Sequence, residues 1–242
     1  MDKVVIITGA SRGIGRNIAY NLALEGYKII ANYNKSENEA KNLKEELLQK
    51  GIEIDIFKAD VSKSDEVKEL IDFVVNKYQK IDILINNAGI AQSKLFTEIT
   101  DEEFDKMMRT NLYSVFYATR EVTKEMIKQH SGCIINMSSI YGISGGSCEV
   151  HYSMTKAGID GLTKGLAKEL GPSNIRVNSI APGLIDTEMN KDLTHEDLNS
   201  IIEQTPLMRI GKTIDITKCV KWLIEDEFTT GQVISPNGGI VI

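Results

Sequence analysis

Tyr152 and Lys156 stand four residues apart in a stretch of helical periodicity, so both fall on one face of that helix. Ser139 ends a strand-like run shortly before them. A tyrosine titrates at about 10 and is a poor acid-base catalyst unaided. A lysine ammonium one turn away favours the phenolate and brings the group toward the working range. A serine hydroxyl beside it can hold a substrate oxygen. Such a trio suits delivery of a proton to a carbonyl oxygen while hydride arrives from a nicotinamide.

A second chemical signature lies near the N-terminus, where Thr8-Gly9-Ala10-Ser11-Arg12-Gly13-Ile14-Gly15 ends one strand-like run and opens an amphipathic helix. Glycines let the main chain turn sharply and approach a pyrophosphate, whose charge meets the helix N-terminus and its free N–H groups. The spacing departs from GxGxxG, with three residues between the first two glycines. The adenosine ribose is met about 20 residues after such a turn, where a carboxylate selects NAD. Here the second strand ends Ala31-Asn32-Tyr33-Asn34-Lys35, with no carboxylate. Arg12 and Lys35 are both placed to meet a 2′-phosphate, which favours NADP(H) over NAD(H). Asp60-Val61 and Asn86-Asn87-Ala88-Gly89 follow two further strands. A short carboxylate at Asp60 can accept from the adenine amino group, and Ala88-Gly89 lets the main chain pass close to the cofactor.

These residues must be positioned by strands that alternate with helices. Short apolar runs at 3–8, 27–33, 53–59, 81–86, 132–138, 175–181 and 231–235 read as strands covered on both faces. Helical patterns fill the gaps at 13–26, 36–50, 64–78, 101–130, 152–170 and 213–225. Gly171-Pro172 punctuates the fifth helix, the glycine taking the left-handed cap that proline cannot extend. The alternation predicts an α/β fold, a Rossmann-type doubly wound parallel sheet of about seven strands with helices on both faces. Ligands bind outside the carboxyl ends of such strands, where all the residues above fall.

The chain has 242 residues, 42% of them hydrophobic and 26% charged, with no Ser, Pro or charge run to separate two lobes. One domain spanning 1–242 is expected. A net charge of -6 without a local basic patch argues against nucleic-acid binding. No apolar stretch approaches the roughly 20 residues of a membrane span, and the N-terminus begins directly with a strand-like run rather than a signal peptide. Cys133, Cys148 and Cys219 fit reduced thiols better than disulfides or a zinc site, so no metal is expected and a cytoplasmic location follows.

Taken in order, TGxxxGxG at Thr8 to Gly15, NNAG at Asn86 to Gly89, Asn111, Ser139, YxxxK at Tyr152 and Lys156, and Pro182-Gly183 resemble the classical short-chain dehydrogenase/reductases over essentially the whole chain. The resemblance implies that Asn111 holds a water linking Lys156 to solvent, and that Ile185 and Thr187 contact the nicotinamide carboxamide. It also implies a homotetramer built through the helices at 101–130 and 152–170.

Within that family the chain is similar to bacterial 3-oxoacyl-(acyl carrier protein) reductases, through Asn32-Tyr33, the segment Thr205 to Gly211, and Gly231-Gln232 to Gly238-Gly239. This implies reduction of a 3-oxoacyl group on a carrier protein in fatty acid synthesis. Two departures stand against it. His130 and Ser173 occupy the places where those reductases carry arginines for the acidic carrier, with Lys128 and Arg176 nearby to compensate. Glu149, three residues before Tyr152, would hinder an anionic carrier and attract an amine. The loop Gly146 to Tyr152 resembles that of reductases acting on a 5-aminopentanone attached to elongation factor P, the alternative reading. A non-catalytic dinucleotide sensor is a third, disfavoured because the full catalytic set is present. The substrate lid is expected at 186–210, where Asp186 to Glu203 hold six acidic residues and one lysine.

Overall fold

In the computed structural model, which describes residues 3–191 and 193–242, strand β1 (Val4–Ile7) is buried along its whole length and divides its side chains between two cores. Val5 and Ile7 join Ile18, Leu22, Val220 and Leu223 on one face. Val4 and Ile6 join Leu70, Val74, Val122 and Met126 on the other. Alternate side chains of a strand point to opposite faces, so a strand covered on both must be apolar at every position.

The other strands are β2 (Lys28–Tyr33), β3 (Asp55–Lys58), β4 (Ile83–Asn86), β5 (Gly132–Met137), β6 (Ile175–Ile180) and β7 (Val233–Ile234); β4 is likewise buried throughout, whereas β3 is only partly covered and accommodates Asp55 and Lys58 at its ends. They form one seven-stranded sheet in the order β3-β2-β1-β4-β5-β6-β7, each neighbouring pair parallel. Helices α1 (Gly13–Leu24), α2 (Glu37–Leu48) and α9 (Thr213–Glu225) cover one face; α3 (Ser64–Tyr78), α5 (Ser114–Gln129) and α7 (Val150–Leu170) cover the other. Successive strands are laid down outward in opposite senses from the β1–β4 junction, opening a crevice at their carboxyl ends. The predicted α/β architecture is the one found.

Four local readings change. The helix expected over 101–130 is α4 (Asp101–Met108), a π-helical turn at Arg109–Tyr113, then α5. One extra residue in that turn carries Asn111 into the interior, which periodicity does not register. Gly171 is right-handed and opens a short 3₁₀ turn; Asn174, at φ 58°, takes the left-handed position instead. Pro172 sits in the first turn, where its missing N–H costs nothing. A short helix, α6 (Ile140–Ser144), and α8 (His195–Gln204) were not expected. The α8 signal was present as the Thr194/Asp197 capping box, with Thr194 Oγ1 accepting from Asp197 N at 3.1 Å. Finally, β7 keeps only the middle of the 231–235 run.

Candidate active site

At the β1–β4 crevice the glycine turn is fastened by side-chain bonds to the main chain. Thr8 Oγ1 accepts from Asn87 N and Ala88 N, both at 3.0 Å, and Asn87 Nδ2 donates back to the Thr8 and Gly9 carbonyls at 3.0 Å. Gly9 has φ +64°, and a Cβ there would stand 2.9 Å from Ala88 Cα. Gly15 lies against the Asn87 side chain, so it too must lack one. Gly13 is left-handed at φ +56° and lies under Thr187. Arg12, the N-cap of α1, makes no side-chain cap, and the first turn of α1 carries no acidic residue. The first N–H groups of α1 therefore meet no competing anion from their own helix, and Ser11 is buried beside them. A tight glycine cradle at a helix N-terminus fits a dinucleotide pyrophosphate.

Around it, Asn32 is 2% exposed, and its side chain accepts from Gly9 N at 3.3 Å and donates to the Ala59 carbonyl at 3.0 Å. It braces the turn from the ends of β2 and β3. Asp60 accepts from the Ser62 hydroxyl at 2.7 Å; burial raises its carboxyl, but bonds from Ser62 and Asn34 outweigh that and hold it below the usual range. Val61 is buried in the core, Lys35 is exposed, and Arg12 pairs with Glu188 at 3.3 Å in a largely exposed contact. Gly183 lies against the Asn237 main chain, and the Pro182 carbonyl accepts from Ile140 N at 3.0 Å. Ile185 buries its side chain in the β1 core and bridges to Gly211.

Four residues meet at the end of β5. Ser139 caps α6, accepting from Tyr141 N at 3.2 Å, and its side chain hydrogen-bonds to Tyr152. Lys156 donates to the Met137 carbonyl at 2.7 Å with its Nζ 5.4 Å from the Tyr152 ring centre. Asn111 is fully buried; its Nδ2 donates to the Ile90 carbonyl at 2.9 Å while its Oδ1 accepts from Ile90 N at 2.8 Å. Gly89 lies between them: a Cβ there would stand 3.4 Å from Asn111 Oδ1 and 3.7 Å from Lys156 Nζ. The expected lowering of the tyrosine is overturned. Burial pushes the Tyr152 phenol up to about 12, against the bond from Ser139, and the same burial pulls Lys156 down to about 8. In a low-dielectric setting the penalty on the charged form exceeds the help of a cation whose hydrogen bond goes to a carbonyl.

At the mouth, Glu149 is the N-cap of α7, and its Oε2 is buried without a hydrogen-bond partner. Burial pushes this carboxyl up to about 7. Next to it, His151 is 2% exposed and contacts Gln92 Oε1 through Nε2 at 3.1 Å; Gln92 in turn donates to Glu103 at 2.7 Å. Sequence reasoning did not mark this chain of contacts, which joins α7 to α4 through the loop after β4. Arg176, expected with Lys128 to stand in for the family's carrier-facing arginines, is engaged within the fold. Its guanidinium donates to the Leu223 and Ile224 carbonyls at 2.7 and 3.3 Å, closing the C-terminal end of α9. Lys128 pairs with Glu125 at 2.7 Å. Over the expected lid, cavities of about 170 and 370 Å³ flank Ile185, the first reaching Asn237 and the second running beneath Leu193 and Leu198. The acidity there is partly engaged in structure, Glu188 with Arg12 and Asp197 in its capping box; Asp192 lies outside the described residues. No helix is long and apolar enough to cross a membrane among the described residues, and none of their His, Cys, Asp and Glu side chains cluster as a metal site. Cys133, Cys148 and Cys219 are free thiols.

A glycine cradle at the switch point of a parallel sheet, with serine, tyrosine and lysine at the neighbouring strand end, defines a class. The short chain dehydrogenase family profile matches residues 3–198, and the chain belongs to that family. It is an oxidoreductase working between C=O and CH–OH groups with a nicotinamide dinucleotide. Among relatives, it is 43% identical to the 3-oxoacyl-[acyl-carrier-protein] reductase FabG of Staphylococcus epidermidis, over 99% of both chains. It is 40% identical to FabG of Thermotoga maritima, over 99% of this chain and 98% of that one. The Bacillus subtilis oxidoreductase YmfI, described as uncharacterized, is 38% identical over 99% of both.

Proposed function

We propose that the protein reduces a ketone tethered to a carrier protein, a 3-oxoacyl group in fatty acid synthesis, at the expense of NADPH. The observation that carries this reading is the Ser139–Tyr152–Lys156 group at the end of β5, in a chain similar over its full length to reductases of that name. NADPH, when bound, supplies the hydride for the carbonyl carbon. Ser139 donates a hydrogen bond to the carbonyl oxygen and Tyr152 passes it the proton. A phenol held at about 12 is protonated across the neutral range, which is the form reduction needs. Lys156, anchored on the Met137 carbonyl, steadies the phenolate left behind. Asn111, clamped to Ile90, orients a water toward Lys156 across Gly89 so that the proton is restored.

The dinucleotide is held by Gly9, Ser11, Arg12, Gly13, Ile14 and Gly15 at the pyrophosphate, with Asn32 acting through Gly9. Asp60 and Val61 receive the adenine, Asn87, Ala88 and Gly89 pass beside the ribose, and Pro182, Gly183, Ile185 and Thr187 border the nicotinamide. Arg12 and Lys35 receive the 2′-phosphate; the lack of a carboxylate at the end of β2 supports NADP(H). Residues 186–210 form the lid of a single 1–242 domain. Half-exposed Tyr113, Phe116 and Met154 on the π turn, α5 and α7 support a homotetramer joined through those helices. The compartment is the cytoplasm, in keeping with three free thiols.

Glu149 favours a second reading. A carboxyl with a buried, unpartnered oxygen at the mouth calls for a donor from the substrate, and an ammonium such as that of 5-aminopentanone on elongation factor P would supply it. A side-by-side assay separates the two: NADPH oxidation with acetoacetyl-carrier protein and with the aminopentanone-bearing factor, for the wild type and Glu149→Gln. Preference for the acyl carrier substrate, unharmed by Glu149→Gln, is the expected result. Activity confined to the amine-bearing ketone and lost in the variant overturns it. NADPH binding without turnover of any ketone points to the sensor.

A further inference from the structure

Lys156 and Asp160 are the only Lys, Arg, Asp or Glu side chains buried among the described residues, each 5% exposed. They are of opposite sign and one turn apart on the same face of α7. Lys156 Nζ donates to a neutral acceptor, the Met137 carbonyl, at 2.7 Å. Asp160 accepts from Ser179 Oγ of β6 at 2.7 Å, and the Ser138 hydroxyl, just beyond β5, lies close enough to oppose the rise of its carboxyl while donating to the Lys156 carbonyl at 3.3 Å. The same serine pair thus borders both sides of the helix turn: Ser138 faces Asp160, and Ser139 faces Tyr152.

A buried charge with only neutral neighbours tends to neutralise, and a buried opposite charge opposes this. Resting on the proposed ketone reduction, we infer that Asp160 is a positioning residue of the proton relay, a buried countercharge that keeps Lys156 an ammonium through the neutral range. Burial pulls Lys156 down to about 8, and Asp160 is the charge that resists. Burial likewise raises the Asp160 carboxyl, opposed by Ser179, Ser138, Lys164 and Lys156. Of the other groups near this end of α7, Glu149 acts on Tyr141 and Tyr152 rather than on the lysine, the Tyr152 ring centre lies 5.4 Å from Lys156 Nζ, and Gly142 of α6 packs against the Lys156 main chain and Cβ. Asp160 touches none of the reacting atoms; its effect passes through Lys156 to the phenolate that forms at Tyr152.

The test follows Lys156 directly, by NMR titration of protein carrying ε-¹³C-lysine, with its signal identified by loss in Lys156→Met. Asp160→Asn keeps an acceptor for Ser179 and removes the charge; its Lys156 midpoint should fall by about one pH unit. Ser179→Ala keeps the charge and should leave the midpoint within about a third of that change. In turnover, the ratio of kcat at pH 8.5 to that at pH 6.5 should drop about sixfold in Asp160→Asn with KM unchanged. An unmoved midpoint in Asp160→Asn, or an equal movement in Ser179→Ala, overturns the proposal. If Asp160→Asn does not fold, Asp160→Ser removes the charge with a smaller side chain and is read the same way. Absence of ketone turnover in the wild type would defeat the reduction reading alone, since the titration needs no substrate.

Discussion

The crevice between β1 and β4 and the proposed substrate mouth, residues 141–149 with the lid proposed at 186–210, are built by opposite means. At the crevice, Thr8, Asn32 and Asn87 spend their side chains on main-chain groups, and glycines are fixed by contacts a methyl group would violate. At the mouth, Glu149 has an unpartnered oxygen, Leu207 and Met208 are more than half exposed, and cavities run beneath the segment. A cofactor of fixed shape is met by rigid main chain, while the partner that varies between enzymes of one fold is met by side chains left unspent.

The largest effect should come where the two regions touch. Tyr152→Phe removes the proton donor, and kcat should fall about 10³-fold while NADPH affinity, measured by fluorescence titration, changes little. Retained turnover would break the division of labour. Gly9→Ala attacks the rigid side: its left-handed φ and the close Ala88 main chain should cost about 2–3 kcal/mol in denaturant unfolding and remove tight dinucleotide binding. The double change Arg12→Ala with Lys35→Ala should weaken NADPH about tenfold more than NADH, because both groups are exposed and only the 2′-phosphate needs them. Equal losses would remove the phosphate assignment.

The smallest expected effect sharpens the mouth. Glu149 titrates at about 7 in the folded chain, above the ordinary carboxylate value, so the native state holds more protons than the unfolded chain between about pH 4.5 and 7. Stability is therefore lost as pH rises through that window. In Glu149→Gln this loss is absent, and the Tm difference between pH 5 and pH 8 should shrink by about 2–4 °C in thermal unfolding. An identical pH slope in both proteins would show that the carboxyl is well solvated.

The crevice was legible from residues because its chemistry depends on main-chain approach, which glycines record directly, and on strand ends, which apolar runs mark. Tyr152 and Lys156 were legible because one helical turn fixes their geometry. What the sequence hid depends on single insertions and on competition. The π turn adds one residue to a helix whose periodicity is otherwise continuous, so Asn111 read as an ordinary polar position apart from the family resemblance. Arg176 looked free as a surface cation, but the open carbonyls of α9 lay within its reach. For Tyr152 the sign itself was missed, since neighbouring charge can be seen in a sequence and desolvation cannot.

The Asn111 clamp also bears on the order in which the chain assembles. It bonds to Ile90, 21 residues earlier, and reaches Thr155, 44 residues later, at 3.4 Å. The link to Thr155 cannot close until α7 has docked, whereas β1 and β2 can pair as soon as both emerge from the ribosome. During refolding the far-UV signal should therefore return before turnover does. Simultaneous recovery in stopped-flow and activity traces would place the clamp in the rate-limiting step instead.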